Sequence, residues 1–328
     1  MILTLLARLG RHGTWFLAGG LFIGLLLPPL ATLLRPTLPV LIFVLTAATF
    51  LSIDWRALRV HARRPVLLAL LLAWGLVATP IIVALAARLL GLPPGLTQGL
   101  VLWAASPPLI AVPAIALLLG LDGALALLAM VAGTLVMPVT FPPLVLGLIG
   151  LTLGLSIPAL MLRLALFIGG AALLAALLRR LCGVTWLRQH ALELSGLNVL
   201  ILLLFAIAIM DGVTVRLISE PRAVLLYAAV ALGTSVALQG LSFLVFSRLA
   251  RIPALTIGLV GGNKNMAIAW ANLAGAASPE LNLLFAAMQL PIYLLPALLK
   301  PVYRRLGAAP TPGIIRSGAS AADSARGD

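Results

Sequence analysis

The sequence predicts an all-α transmembrane protein of ten spans, built as two five-helix halves. Three observations carry that prediction. The 328 residues are 62% hydrophobic and 9% charged, with a mean hydropathy of +1.19, too little polar surface for a water-soluble domain of that size. The apolar runs are long and continuous instead of short and alternating, which selects helices over a β-barrel. The basic residues fall mostly in short segments between those runs, so the net charge of +14 reports topology and not a nucleic-acid surface.

A hydrocarbon core about 30 Å thick asks for roughly 20 apolar residues per helix. Runs of that size between charge clusters and Pro/Gly breaks lie at 15–34, 37–53, 66–88, 95–119, 123–147, 156–178, 194–210, 222–247, 254–275 and 281–300. Arg8 and Arg11 precede the first run, but no small-residue cleavage site follows it, so a cleaved signal peptide is not expected. With the N-terminus inside, the inner segments hold Arg8, Arg11, Arg56, Arg59, Arg63, Arg64, Arg179, Arg180, Arg188, Arg248, Arg251, Lys300, Arg304 and Arg305. The opposite side holds Arg35, Arg88, Arg216 and Arg222. A miscounted span would scramble that asymmetry, so both termini are expected in the cytoplasm of a cell whose (inner) membrane the chain crosses.

Five is an odd number, so a second copy of the five-helix unit enters the membrane inverted. The expected division is 1–152, 153–307 and a disordered cytoplasmic tail at 308–328, rich in Ala, Ser, Gly and Pro. The fourth run carries Ser106-Pro107-Pro108 and Pro113 at its middle; the ninth carries Gly261-Gly262-Asn263-Lys264-Asn265. Prolines remove helix hydrogen bonds and a Gly-Gly-Asn run readily leaves the α region. Irregular backbone at membrane depth survives only inside protein or along a cavity. Interruptions at matching positions of two halves are the sequence pointer to a transporter binding site.

Lys264 stands apart. An ionisable group at mid-membrane costs about 2.5–3.5 kcal/mol on insertion scales, and the acidic residues all fall at span ends, in loops or in the tail. Arg163, a turn or two into the sixth run, is expected to snorkel outward. Three roles for Lys264 stay open: direct contact with an anionic solute, a proton-coupling group, or neutralisation of the carbonyl ends of the broken half-helices. Asn263 and Asn265 are candidate solute contacts or partners for the freed backbone. Thr79, Gln98, Asn198, Thr234, Gln239, Asn272 and Gln289 also lie within spans, where helix-to-helix hydrogen bonding is the default; Gln289, beside Pro291, joins the candidate site. Trp15, Trp103, Trp186 and Tyr303 read as interfacial anchors, with Trp103 alternatively facing a cavity. Gly20 and Gly24 are spaced for close helix contact.

The chain resembles the bile acid:sodium symporter family. Ser106-Pro107-Pro108 through Pro113 and Asp122 align without a gap to that family's fourth-span Cys-Pro-Gly-Gly-Thr-Ala-Ser-Asn and following Asp. Thr134 and Pro138 fall on a family Thr and Pro, Val260 to Asn265 on Glu-Val-Gly-Met-Gln-Asn, and Leu51-Ser52-Ile53-Asp54-Trp55-Arg56-Ala57-Leu58 on the loop after the second span. The resemblance implies crossing fourth and ninth helices, and a panel of spans 1, 2, 6 and 7 moving against a core of the others. It also places the family's sodium ligands at Val112, Pro113, Val260 and Lys264, leaving Thr134 as the only oxygen-bearing remnant. Sodium needs several oxygen ligands and a lysine repels it, so sodium-independent movement of a small organic anion is expected: proton-coupled, by exchange or facilitated. A sodium-coupled symporter of the same family, and a channel, sensor or scaffold, are the alternatives. The site residues expected are Lys264, Asn263, Asn265, Pro113, Thr134 and Gln289, with Ser106, Pro107, Pro108, Gly261 and Gly262 shaping the crossing backbone. The expected partners are the bilayer and a small anionic solute, without nucleic acid, cofactor or metal; monomer and homodimer both stay open. No HExxH, GxSxG or P-loop pattern occurs, which argues against an enzyme or a nucleotide-driven pump.

Overall fold

The computed structural model of the chain describes residues 13–53, 58, 65–149, 156–273 and 277–308. The expected joint between halves at 150–155, most of the loop after Ile53 and the tail from 309 lie outside these. Among the described residues, seven helical runs are long and apolar enough to cross a membrane: Pro28–Ser52, Pro65–Leu89, Gly123–Ile149, Ile157–Cys182, Ala191–Ser219, Pro221–Val245 and Pro279–Gly307. Large side chains such as Leu33, Leu85, Leu166 and Leu244 point outward on these faces, as they do where lipid is the solvent.

In chain order the helices are α1 (Gly13–Leu26), α2 (Pro28–Leu34), α3 (Leu38–Ser52), α4 (Pro65–Leu89), α5 (Pro94–Ala105), α6 (Val112–Leu118), α7 (Gly123–Ile149) and α8 (Ile157–Cys182). They continue as α9 (Val184–Gln189), α10 (Ala191–Ala208), α11 (Val213–Ser219), α12 (Pro221–Val245), α13 (Arg251–Gly261), α14 (Met266–Leu273), α15 (Pro279–Ala287) and α16 (Gln289–Ala308). Local chemistry sets their ends. Leu27 precedes Pro28, which disfavours α geometry, and its φ of −121° and ψ of 68° break the first run there instead of at Leu34. A 3-10 turn at Arg35–Thr37 then keeps the backbone helical into α3, so the run Pro28–Ser52 bridges the two spans expected at 15–34 and 37–53. Ser156 and Ser278 cap α8 and α15 by accepting from Ala159 and Leu281 amides, each ahead of a proline at the helix start.

Two packing groups result. α1, α2, α3, α8 and α10 form one set and α4–α7 and α12–α16 gather around the two interrupted helices, the sets meeting where α8 packs on α7 and α14 and where α3 packs on α14. Gly20 and Gly24 do bring helices close, but within the chain. A Cβ on Gly24 would sit 2.6 Å from the Ile207 carbonyl of α10.

Candidate functional site

The fourth and ninth runs are each interrupted. α5 ends at Ala105 because Ser106 precedes Pro107 and is extended (φ −73°, ψ 153°), and helix resumes at Val112 with Pro113 in its first turn, where a missing N–H costs nothing. α13 ends at Gly261 and α14 begins at Met266. The two gaps meet in an antiparallel bridge between Pro108 and Lys264. The Leu109 amide donates to the Asn263 carbonyl at 2.9 Å, and the Asn265 amide to the Pro107 carbonyl at 2.7 Å. Each gap thus satisfies backbone groups that the other leaves free, the condition for irregular backbone at this depth.

The glycines serve a different purpose from the one their sequence suggests. Gly262 has φ −97° and ψ 5°, open to any residue. Closeness selects it: a Cβ there would lie 2.3 Å from the Ser235 carbonyl, and one on Gly261 would lie 2.1 Å from Ser242 Oγ. The ninth run is therefore pressed against α12, and Ser235 Oγ donates to the Gly262 carbonyl at 2.5 Å.

Lys264 is 1% exposed, and its Nζ donates to the Gly75 carbonyl of α4 at 2.5 Å. Helix chemistry explains why that carbonyl is available. Trp74–Ala78 forms a π turn in which the Thr79 amide donates to Trp74, and Pro80, next in line, has no N–H. Gly75 therefore lacks a helical donor, and its oxygen takes Thr79 Oγ1 at 2.9 Å and Lys264. The lysine thus caps a freed carbonyl on a third helix instead of the ends of the broken half-helices. Among the described residues the ion pairs are Arg35–Asp211 and Arg216–Glu280, so neither brings a carboxylate to Lys264.

Lys264 borders two cavities. The smaller, about 20 Å³, is walled by Leu71, Trp74, Gly75, Pro108, Gly133, Val260 and Gly261 among others; its side chains carry no carboxylate or amide. The larger, about 140 Å³, lies between the two packing groups. Ile42, Leu45 and Thr49 of α3 and Asn198, Leu202 and Phe205 of α10 face Leu109–Ala111, Asn265–Ala267, Phe285, Gln289 and Tyr293 across it. Asn265 Nδ2 and Asn198 Oδ1 have no hydrogen-bond partner, and both residues line this cavity. An unmet donor and acceptor beside one apolar cavity form the usual frame of a small-molecule site.

The expected site residues divide accordingly. Lys264, Asn265 and Gln289 reach the larger cavity, with Gln289 also donating to the Phe285 carbonyl; Pro108 and Gly261 wall the smaller one. Asn263 is buried, donates to Leu259 and keeps Oδ1 unmet, but lines neither. Pro113, Ser106, Pro107 and Gly262 shape the backbone, and Thr134 is buried with its hydroxyl on the Met130 carbonyl. Trp103 is buried in the core and lines neither cavity; Tyr303, 7% exposed, donates to Gln239 at 2.8 Å and so is no interfacial anchor. Asn198, Thr49, Tyr293 and Gly75 were not expected at the site. Gly75 had no sequence signal of its own: in a regular helix Pro80 would free the Leu76 carbonyl, and the π turn moves the vacancy to Gly75. No family model matches the chain, and no curated protein matches it either, so what the site does rests on its own chemistry.

Proposed function

We propose that the protein is a secondary transporter of a small organic anion that works without sodium, its solute entering the cavity beside the crossing of the fourth and ninth runs. The observation that carries the reading is that crossing itself: two interrupted helices, hydrogen-bonded at their gaps, with a buried lysine and an unpaired amide at a cavity between two helix groups. On this reading the chain has ten spans, with each interrupted pair counted as one. The helix order then repeats after 156: three runs, a broken run, one more run. Packing supports an inverted repeat. Exchanging the halves maps the contact of α1 with α10 onto that of α8 with α3, and the contact of α5 with α15 onto that of α13 with α7; all four are present. α1–α3 and α8–α11 would form the panel and the remaining helices the core.

Sodium independence is supported by the wall of the smaller cavity. A cation there would meet Val260, Pro108, Leu71 and the Lys264 ammonium, and a hard cation needs several oxygens. Lys264 would supply the positive charge at this crossing. Its Nζ bonds Gly75, which walls only the smaller cavity, so the lysine biases the potential of the larger cavity, and Asn265, Asn198 and Gln289 are left to contact the solute. The test is thermal unfolding of the detergent-purified chain against a panel of small carboxylates, in sodium and in potassium buffer. A ligand of the native state raises the midpoint by mass action. Stabilisation by a carboxylate in both buffers supports the reading. Stabilisation only in sodium rejects the sodium-independent part, and none by any anion rejects the anion part.

A further inference from the structure

Besides the packing of α8 on α7 and of α3 and α8 on α14, side chains tie the two helix groups at one end. Among the described residues, two side-chain hydrogen bonds reach the second group from arginines of α8 and of α11, the short helix that follows α10. Arg216 of α11 pairs with Glu280 at 3.5 Å, and Arg163 of α8 donates to the Asn272 carbonyl at 3.4 Å. Their targets flank a single junction. Asn272 is in α14, seven residues before α15 begins. Glu280 is in the first turn of α15. Two cations from different helices therefore hold a backbone carbonyl of α14 and the carboxylate at the start of α15.

Beneath this junction lies an aromatic layer. Phe205 of α10 meets Phe285 edge-on with centroids 6.0 Å apart, and Phe285 stacks on Trp270 at 5.5 Å. Trp270 is fixed in turn by donating to Asn282 at 2.8 Å. The larger cavity runs from that layer away from the arginines. Along α10 it passes from Phe205 back to Asn198, about 10 Å of helix rise, and along α15 and α16 from Phe285 on to Tyr293. Along α3 it passes from Ile42 to Thr49, away from the end where Arg35 holds Asp211.

We propose that Arg163 and Arg216 form a clamp that, with the Phe205–Phe285 contact beneath it, closes the solute path at the end bearing the 209–212 turn and the start of α15. The proposal rests on the two-body transporter reading above. Releasing the clamp shifts the population toward a conformation whose cavity is reached from that end. Each tie is partly exposed, so each shifts that population by about two- to five-fold and not by orders of magnitude. Weak ties suit a gate that must open in every cycle.

The test uses the single cysteine, Cys182, which is exposed and is first replaced by serine. Thr49→Cys then places a reporter at the far part of the cavity, and a membrane-impermeant maleimide is added to either side of sealed vesicles. The parent is expected to label faster from the side opposite the clamp. Arg216→Gln and Glu280→Gln raise the clamp-side rate about two- to five-fold, Arg163→Gln adds to it, and the exchange Arg216→Glu with Glu280→Arg restores the parent rate. Retained labelling from the other side shows that each variant is folded. Unchanged clamp-side rates in the single variants, or failure of the exchange to restore them, overturn the clamp. Labelling requires no solute, so a working clamp without any bound anion would reject the anion part of that reading and leave the clamp standing.

Discussion

Replacing Lys264 with methionine separates a functional lysine from a structural one. The side chain is 1% exposed, its bond to the Gly75 carbonyl is the only one it makes among the described residues, and the described ion pairs lie elsewhere. Losing a charged hydrogen bond costs about 1.5–3 kcal/mol. Removing a lone cation from the middle of a span returns about 2.5–3.5 kcal/mol. Gly75 is not stranded, because Thr79 Oγ1 still donates at 2.9 Å, and methionine fills nearly the same volume. The balance runs from roughly zero to 2 kcal/mol in favour of the variant, a midpoint rise of at most about 4 °C for a chain of this size. The assay is thermal unfolding in detergent, with and without the best-stabilising carboxylate. Lys264→Met is expected to unfold at or slightly above the parent midpoint and to lose the carboxylate shift. A fall of more than about 5 °C would mean that the lysine holds the crossing together, and the functional assignment would be refuted.

Other expectations follow from the same geometry. Thr79→Val alone should cost little, but combined with Lys264→Met it leaves the Gly75 carbonyl unpaired, so a double-mutant cycle in thermal unfolding should show about 1–3 kcal/mol of extra loss beyond additivity. Gly262→Ala drives a methyl to 2.3 Å from the Ser235 carbonyl and should destabilise by about 3 kcal/mol or prevent folding, whereas Gly19→Ala, with nothing within 4 Å, should be neutral or stabilising in the same unfolding assay. Asn265→Leu removes an amide nitrogen that has no partner, so its midpoint should hold while carboxylate binding is lost. Gln239→Leu, which strands the Tyr303 hydroxyl, should instead lower the midpoint by about 1–3 kcal/mol equivalent.

The helical character, most run boundaries and both interruptions were legible because their causes are local. Apolar length makes the runs, and Pro107 with Pro108 forces Ser106 out of α geometry and removes two successive amide donors. What escaped the sequence depends on distant chain. The partner of Lys264 lies on a helix 189 residues away, freed by a π turn that no hydropathy pattern reveals. Arg163 reads as a snorkelling cation but meets a carbonyl 109 residues on. Gly261 and Gly262 read as flexible, yet they are needed because α12 passes close beside them. Asn198 looked like ordinary interhelical glue, and only the packing shows its oxygen unpaired at the cavity.

The most direct test of the central claim is flux. Purified protein is reconstituted into liposomes, and uptake of the best-stabilising radiolabelled carboxylate is measured under a sodium gradient, a proton gradient, exchange conditions and no gradient, for the parent and Lys264→Met. The account predicts carboxylate uptake that is indifferent to sodium and falls to the level of empty liposomes in the variant. Uptake that requires sodium, or that survives loss of the lysine, would contradict it.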